Sequence, residues 1–423
     1  MTSTPPPATG LWRHADFMKL WTGQAVSQFG SMVTRDALPL IGVIVLRASP
    51  FQMGLLSAAG SAPVLILGLL AGAWVDRLRR RPILIAADLG RAVLVGSVPV
   101  AALLGRLSLG YLAAVAAATG ALTVIFDVAY GAYLPSLVAR EHLLEGNSKL
   151  GVTVSLAEII VPGLTGLMVQ LISAPLTLLV DTFSFLVSAL SLRLIRQPEL
   201  PRPPAAIGAS VRHEIGQGLR LTLGHPVLRS LALFDAWSAF FGAFYGALYG
   251  LYALRVLGVQ PVLGGLFVGA GGLGALVGAG VAGRFTRRLG LGRALKAALL
   301  VTIPLAPLTP LAGGPLWLII LFMGLPQLIG DLFDTIFVIT TLSLRQAITP
   351  GAWLGRVTAS MNVLSGGAFT VGLLVGGALG SLLGARNALW VAVAGSVIGK
   401  LLFIFSPPAA LRETPAPIAD PSE

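Results

Sequence analysis

Gly72-Ala73-Trp74-Val75-Asp76-Arg77-Leu78-Arg79-Arg80-Arg81 closes a long apolar run, and 207 positions later the chain answers it with Ala279-Gly280-Val281-Ala282-Gly283-Arg284-Phe285-Thr286-Arg287-Arg288. The same shift carries Gly68 onto Ala275, and Phe126, Asp127, Ser136 and Leu137 onto Phe333, Asp334, Ser343 and Leu344. Two separate segments that share one offset are hard to attribute to composition. The chain therefore reads as two homologous halves, each with an arginine-rich turn after its second apolar run.

The residues around these turns place them at a membrane. Of 423 residues, 55% are hydrophobic and 11% charged, whereas soluble domains carry about 25% charged residues. A spanning helix needs roughly 20 apolar residues, and such runs recur, among them Val64 to Val75, Ala92 to Leu104 and Leu389 to Phe405. Lipid offers backbone groups no partners, so helices are the solution. The 52 glycines and 28 prolines fit that environment, where neighbouring helices satisfy freed backbone groups.

Hydropathy and turn signals predict an all-α membrane protein of twelve transmembrane helices in two pseudo-symmetric six-helix bundles. The first six fall at about 17–46 (α1), 52–75 (α2), 82–104 (α3), 109–134 (α4), 150–172 (α5) and 175–195 (α6). The second six fall at about 228–254 (α7), 262–283 (α8), 294–312 (α9), 315–342 (α10), 357–383 (α11) and 386–405 (α12). Residues 1–16 and 406–423 are tails, 17–195 and 227–405 the bundles, and 196–226 a linker. The linker holds Pro198, Pro201, Pro203 and Pro204 and then a basic stretch, Val211 to Leu223, that reads as an amphipathic surface helix.

The net charge of +12 could suggest nucleic-acid binding, but its distribution argues for topology. Basic residues concentrate in alternate loops, as at Arg77 to Arg81, Arg193 to Arg229 and Arg284 to Lys296, whereas the intervening loops hold only Arg47, Arg106, Arg255 and Arg386. The positive-inside rule puts the first set and both termini in the cytoplasm, in a multi-pass protein of the inner (plasma) membrane. No nucleic-acid partner is expected. Met1 to Gly10 lacks the pattern of a cleaved signal peptide, so α1 is expected to insert uncleaved.

The chain has no cysteine, which excludes disulfides, thiol nucleophiles and thiolate metal sites. His14, His142, His213 and His225 lie in or near cytoplasmic loops without metal spacing, so neither a metal nor a cofactor is implied. No phosphate-binding glycine-lysine loop appears, so the chain does not read as ATP-driven.

The turn from Gly72 to Arg81 resembles the signature of the major facilitator superfamily: glycine, three residues, aspartate, a basic residue, any residue, glycine and two basic residues. Arg79 stands where that family has glycine, and the second copy replaces the aspartate with Gly283. The resemblance implies a latch of Gly72, Asp76, Arg77, Arg80 and Arg81. Asp76 would meet the positive N-terminus of a helix of the other half, starting near Arg356, while Arg77 and Arg80 pair with nearby acids when the cytoplasmic side is closed. The alternative is ordinary positive-inside charge, and it is the preferred reading for Arg79 and Arg81.

Leu20-Trp21-Thr22-Gly23-Gln24-Ala25-Val26-Ser27-Gln28-Phe29-Gly30, Tyr133-Leu134-Pro135-Ser136-Leu137 with Asn147, and Asp181-Thr182-Phe183-Ser184-Phe185 are similar to the branch that includes the enterobactin exporter and related multidrug efflux proteins. Exporters of the superfamily often carry Gly-Pro-any-any-Gly-Gly in α5. Here Val161-Pro162-Gly163-Leu164-Thr165-Gly166 matches at Pro162 and Gly166, which would let α5 bend and approach the other half.

An ionisable residue at the centre of a spanning helix costs about 2.5 to 3.5 kcal/mol on insertion scales, so each needs a partner or a water-filled cavity. Asp88 and Arg91, one turn apart, read as a structural pair. Asp127 and Asp334, at duplicated positions, suggest structural charges at a cytoplasmic gate, and Lys400 reads as snorkelling. Arg35 and Asp36 lie mid-α1 and point about 100° apart, so they are not expected to pair with each other. Asp36 is expected to titrate or touch substrate, with Arg35 setting its pKa, and structural pairing across helices is the alternative. Glu158, in the inner half of α5 without a basic neighbour one turn away, is a second proton candidate, against a structural hydrogen bond.

In α7, Trp237, Phe241, Phe244 and Tyr245 share a face that could stack on an apolar substrate. Packing or lipid contact is the competing reading. The glycines of α8 suit close helix packing.

The expected function is secondary active export of a small, largely apolar molecule such as a drug, siderophore or secondary metabolite. The two halves would rock about a mid-bilayer cavity, driven by protons, in a monomer embedded in the lipid bilayer. An importer or lipid mover of the same fold is the alternative, and a membrane-embedded enzyme finds no supporting residues.

Overall fold

The computed structural model describes residues 11–75, 78–138, 142–197, 199, 211–411, 415 and 418. Among the described residues there is no strand. The first half comprises α1 (Ala15–Leu40), α2 (Pro50–Val75), α3 (Arg80–Leu103), α4 (Leu109–Leu137), α5 (Leu143–Ile172) and α6 (Ala174–Leu194). The second comprises α7 (Pro226–Leu251), α8 (Pro261–Leu289), α9 (Leu291–Leu305), α10 (Leu316–Leu325, continuing to Asp331–Ile348), α11 (Gly351–Leu383) and α12 (Ala385–Ile404). A linker helix, Val211–Gly224, stands between them. Ten of these helices, α3 to α12, are long and apolar enough to cross a membrane. In α1 the polar residues Gln24, Ser27, Gln28 and Ser31 dilute the apolar run.

Packing unites each half. α6 lies against α1 and α3, and α4 against α2 and α3; in the second half α7 lies against α11 and α12, and α10 against α8 and α9. Two helices begin earlier than hydropathy predicts. α5 starts at Leu143 because its polar first turns are satisfied: Glu145 accepts from the Leu11 amide at 3.2 Å, and Lys149 pairs with Glu145 at 3.3 Å while lying over the Trp12 ring. α11 starts at Gly351 directly after Pro350, which ends the preceding turn.

The duplication recurs in the backbone. α1 and α7 both widen into π-helix at their ends, Ile41–Val45 and Tyr252–Val256. Each is followed by a left-handed residue, Arg47 at φ 50° and Gly258 at φ 67°. The α5–α6 joint at Ser173 (φ 97°) matches the α11–α12 joint at Gly384 (φ 83°). Each of these pairs is 211 positions apart, four more than the shift that aligns the arginine turns. Four residues are about one helical turn, so equivalent faces are kept.

Ser173, with ψ 154°, occupies a region essentially reserved for glycine. Ser173→Gly is expected to stabilise the protein by about 1 kcal/mol, read as a raised thermal unfolding midpoint in detergent. An unchanged or lowered midpoint would contradict strain at this joint.

The halves meet mainly at the ends remote from the arginine turns, through α5 on α8 and α2 on α11. The approach is backbone to backbone: a Cβ on Gly166 would lie 2.3 Å from the Pro261 carbonyl oxygen, and one on Gly54 2.4 Å from that of Leu373. Arg255, beside the π-helical end of α7, donates to the carbonyl oxygens of Ala48, at 2.7 Å, and Val43 in the other half. The Phe51 amide donates to Ser381 Oγ at 2.9 Å. The chain is thus sealed at one end by contacts that rigid halves must break in order to rock.

Candidate functional site

The arginine turn engages its own half. Glu199, in the linker, accepts from the Arg80 amide with both carboxylate oxygens at 3.0 Å and lies 3.7 Å from the Arg80 guanidinium. A carboxylate is favoured there by the N-terminus of α3. Arg81 donates from Nε to the Leu192 carbonyl at 2.8 Å and also to that of Arg193, capping the C-terminus of α6. Arg80 thus meets an acid of the linker rather than of the other half. Gly72 lies in the last turns of α2, while Asp76 and Arg77 lie outside the described residues.

Inside the first half, Asp88 and Arg91 form the expected pair, both buried. The Arg91 guanidinium lies 4.2 Å from the Phe126 ring centroid and 4.4 Å from that of Phe185, between two aromatic faces. Asp181 is buried on α6, where it accepts from Ser184 Oγ at 2.8 Å. Asp127 sits exposed on α4, with Arg91 as its charged neighbour.

Arg35 and Asp36 correct an expectation. They pair with each other, Nε to Oδ1 at 3.2 Å, with the Arg35 side chain 54% exposed. The 100° between adjacent Cβ directions is overcome by the length of the arginine stem, which curls back to its neighbour. Glu158 is half-buried on α5, at the height where its carbonyl faces Gly272 of α8. Pro162 and Gly166 lie on the same seam, with the Pro162 carbonyl 2.0 Å from where a Cβ on Gly265 would be.

A concentration of polar groups around open space lies in the second half. A cavity of about 870 Å³ is lined by α7, α9, α10, α11 and α12, all of the second bundle. Its charged lining is Asp235, Asp331, Asp334, Arg345 and Lys400. Its apolar wall includes Phe234, Phe241, Tyr245, Tyr249 and Phe337, with Gln327 and Asn362 among the neutral polar groups. Lys400 does not snorkel: its Nζ donates to Thr302 Oγ1 at 2.8 Å and lies 3.8 Å from Asp334. Asp235 has Arg345 as its cationic neighbour. Asp334, expected at a gate, is therefore a cavity residue.

The aromatic face of α7 divides. Phe241, Tyr245 and Tyr249 line the cavity. Trp237 does not: its Nε1 donates to the Gly395 carbonyl at 2.7 Å, and its ring lies against Gly399 of α12. Phe244 is fully buried, with its ring against Gly376 of α11. Glycine slots on neighbouring helices take these two rings, and the spacing Gly395-any-any-any-Gly399 was the signal that marks such a slot. Reading α7 alone missed Asp235, Asp331, Arg345 and Lys400 as members of one site, because three helices, α7, α10 and α12, bring them together.

The sequence profile of the Major Facilitator Superfamily matches residues 20–369. The chain is 31% identical over 219 residues to the multidrug efflux pump Tap of Mycolicibacterium fortuitum, a match covering 49% of this chain and 52% of that one, so it spans about half the length of that relative. With the multidrug efflux pump Tap of Mycobacterium tuberculosis it shares 28% identity over 408 residues, covering 92% of this chain and 93% of that protein. In fold it is similar to a bacterial homologue of iron transporter ferroportin solved in the inward-facing state, with a TM-score of 0.75 and 21% identity, covering 95% of this chain and 100% of that one.

Proposed function

Because the chain belongs to the Major Facilitator Superfamily, we propose that it exports a small, largely apolar molecule by proton-coupled alternating access. The observation that carries this reading is the large, part-aromatic, part-charged cavity in a protein whose halves touch chiefly at one end. With the arginine turns in the cytoplasm, the seal through Arg255 is extracytoplasmic and the conformation is inward-facing, ready to load from the cell interior. Rocking would open the seal and close the arginine-turn side, where Asp76 and Arg77 are the proposed latch. Relatives named as multidrug efflux pumps support outward transport.

Each proton crossing the membrane potential contributes about 2.3 kcal/mol per 100 mV. Asp36 and Glu158 are the proposed proton carriers of the first half. In proteoliposomes with an imposed pH gradient, the wild type is expected to move a drug substrate against its concentration gradient, with transport falling to the passive level when the gradient is collapsed. Asp36→Asn is expected to reduce the gradient-driven component several-fold. Undiminished coupling would remove Asp36 from the mechanism, and transport indifferent to the gradient would overturn proton drive.

A further inference from the structure

The charges around the cavity do not cancel. Asp235 has Arg345 as a cationic neighbour outside ion-pair distance, and Asp334 has Lys400 at 3.8 Å. Asp331 sits one turn before Asp334 on the same helix, and among the described residues no cation lies within ion-pair reach of it. Its charged neighbour is Asp334, a like charge. A Cβ on Gly271 of α8 would lie 2.1 Å from Asp331 Oδ2, so the absence of a side chain there gives the carboxylate its place.

Three carboxylates thus face two basic side chains around a cavity whose α7 wall offers the rings of Phe241, Tyr245 and Tyr249. An unmatched carboxylate among apolar walls is costly unless a positive charge joins it. Aromatic faces attract cations and also pack against apolar groups. A volume of about 870 Å³ is that of a pocket enclosing a drug-sized molecule.

We infer that this cavity takes an amphipathic organic cation, with its positive centre against Asp331 and its apolar body against Phe241, Tyr245 and Tyr249. The inference rests on the export reading for its physiological meaning, but the site is defined by its own charges. A neutral guest would leave Asp331 unmatched, and an anion would add to the surplus of negative charge.

Tetraphenylphosphonium and tetraphenylborate have nearly one shape and opposite charge, so they separate charge selection from apolar fit. Equilibrium dialysis with the purified full chain is expected to show binding of tetraphenylphosphonium and much weaker binding of tetraphenylborate. Asp331→Asn should weaken tetraphenylphosphonium binding about tenfold, and Asp331→Glu should restore most of it, which separates loss of charge from loss of fold. Equal affinity for the two ions, or an Asp331→Asn protein that binds tetraphenylphosphonium like the wild type, overturns the assignment. Proteoliposomes keep the two readings apart. Transport of an uncharged compound with no tetraphenylphosphonium binding would sink the cation site and leave export standing. Asp331-dependent binding, with no transport of any compound, would do the reverse.

Discussion

Asp88→Ala is expected to destabilise the protein by about 3–5 kcal/mol, the cost of leaving one partner of a buried ion pair alone. Arg91 is 3% exposed and Asp88 fully buried, so water cannot replace the lost carboxylate. The guanidinium would keep its contacts with Phe126, Phe185 and, at 3.5 Å, Thr123 Oγ1, none of which carries a negative charge, and its remaining acidic neighbours, Asp127 and Asp181, lie outside ion-pair distance. A large drop in the thermal unfolding midpoint in detergent is the expected readout. The double substitution Asp88→Ala with Arg91→Met should recover a good part of it, since an apolar pair of similar volume leaves no charge stranded. If Asp88→Ala unfolds at the wild-type temperature, the pair contributes nothing to the bundle.

The second large effect is expected at the seal between the halves. Arg255 donates charge-assisted hydrogen bonds to the carbonyls of Val43 and Ala48. A hydrogen bond to a charged group contributes roughly 1.5–3 kcal/mol, so removing both should shift the balance between the two orientations about a hundredfold or more. Arg255→Ala is therefore expected to populate the conformation in which this end is open, and to slow transport because return to the sealed state becomes unfavourable. The chain has no native cysteine, so a single Ser57→Cys, at the contact of α2 with α7, gives labelling without background. Labelling by an impermeant maleimide from the Arg255 side should rise in Arg255→Ala. Equal labelling in both proteins would show that the seal holds without the arginine.

Helical class and duplication were legible because they are written in local patterns. An apolar run and an arginine turn need no knowledge of neighbours. The Asp88 and Arg91 pair was legible for the same reason, as it lies within one turn of α3. The cavity was not. Asp334 meets Lys400 across 66 positions, so one looked like a gate charge and the other like a snorkelling lysine, and Asp235 and Arg345 stand 110 positions apart in the chain. The α7 aromatics failed differently. Helical spacing gives a face, but only the glycines of α11 and α12 decide which rings of that face are swallowed by a neighbour. Arg35 and Asp36 show the limit of a Cβ-direction argument for a long side chain.

All the walls of the cavity belong to one bundle. Under the proposed rocking of the halves, a guest seated there would be a passenger, carried round with the leaf that holds it and needing no hand-over between leaves. A passenger gripped equally well at either end of the swing biases neither orientation. On that proposal the molecule would behave as an unprejudiced turnstile, with the direction of traffic decided by the gradients waiting on the two sides.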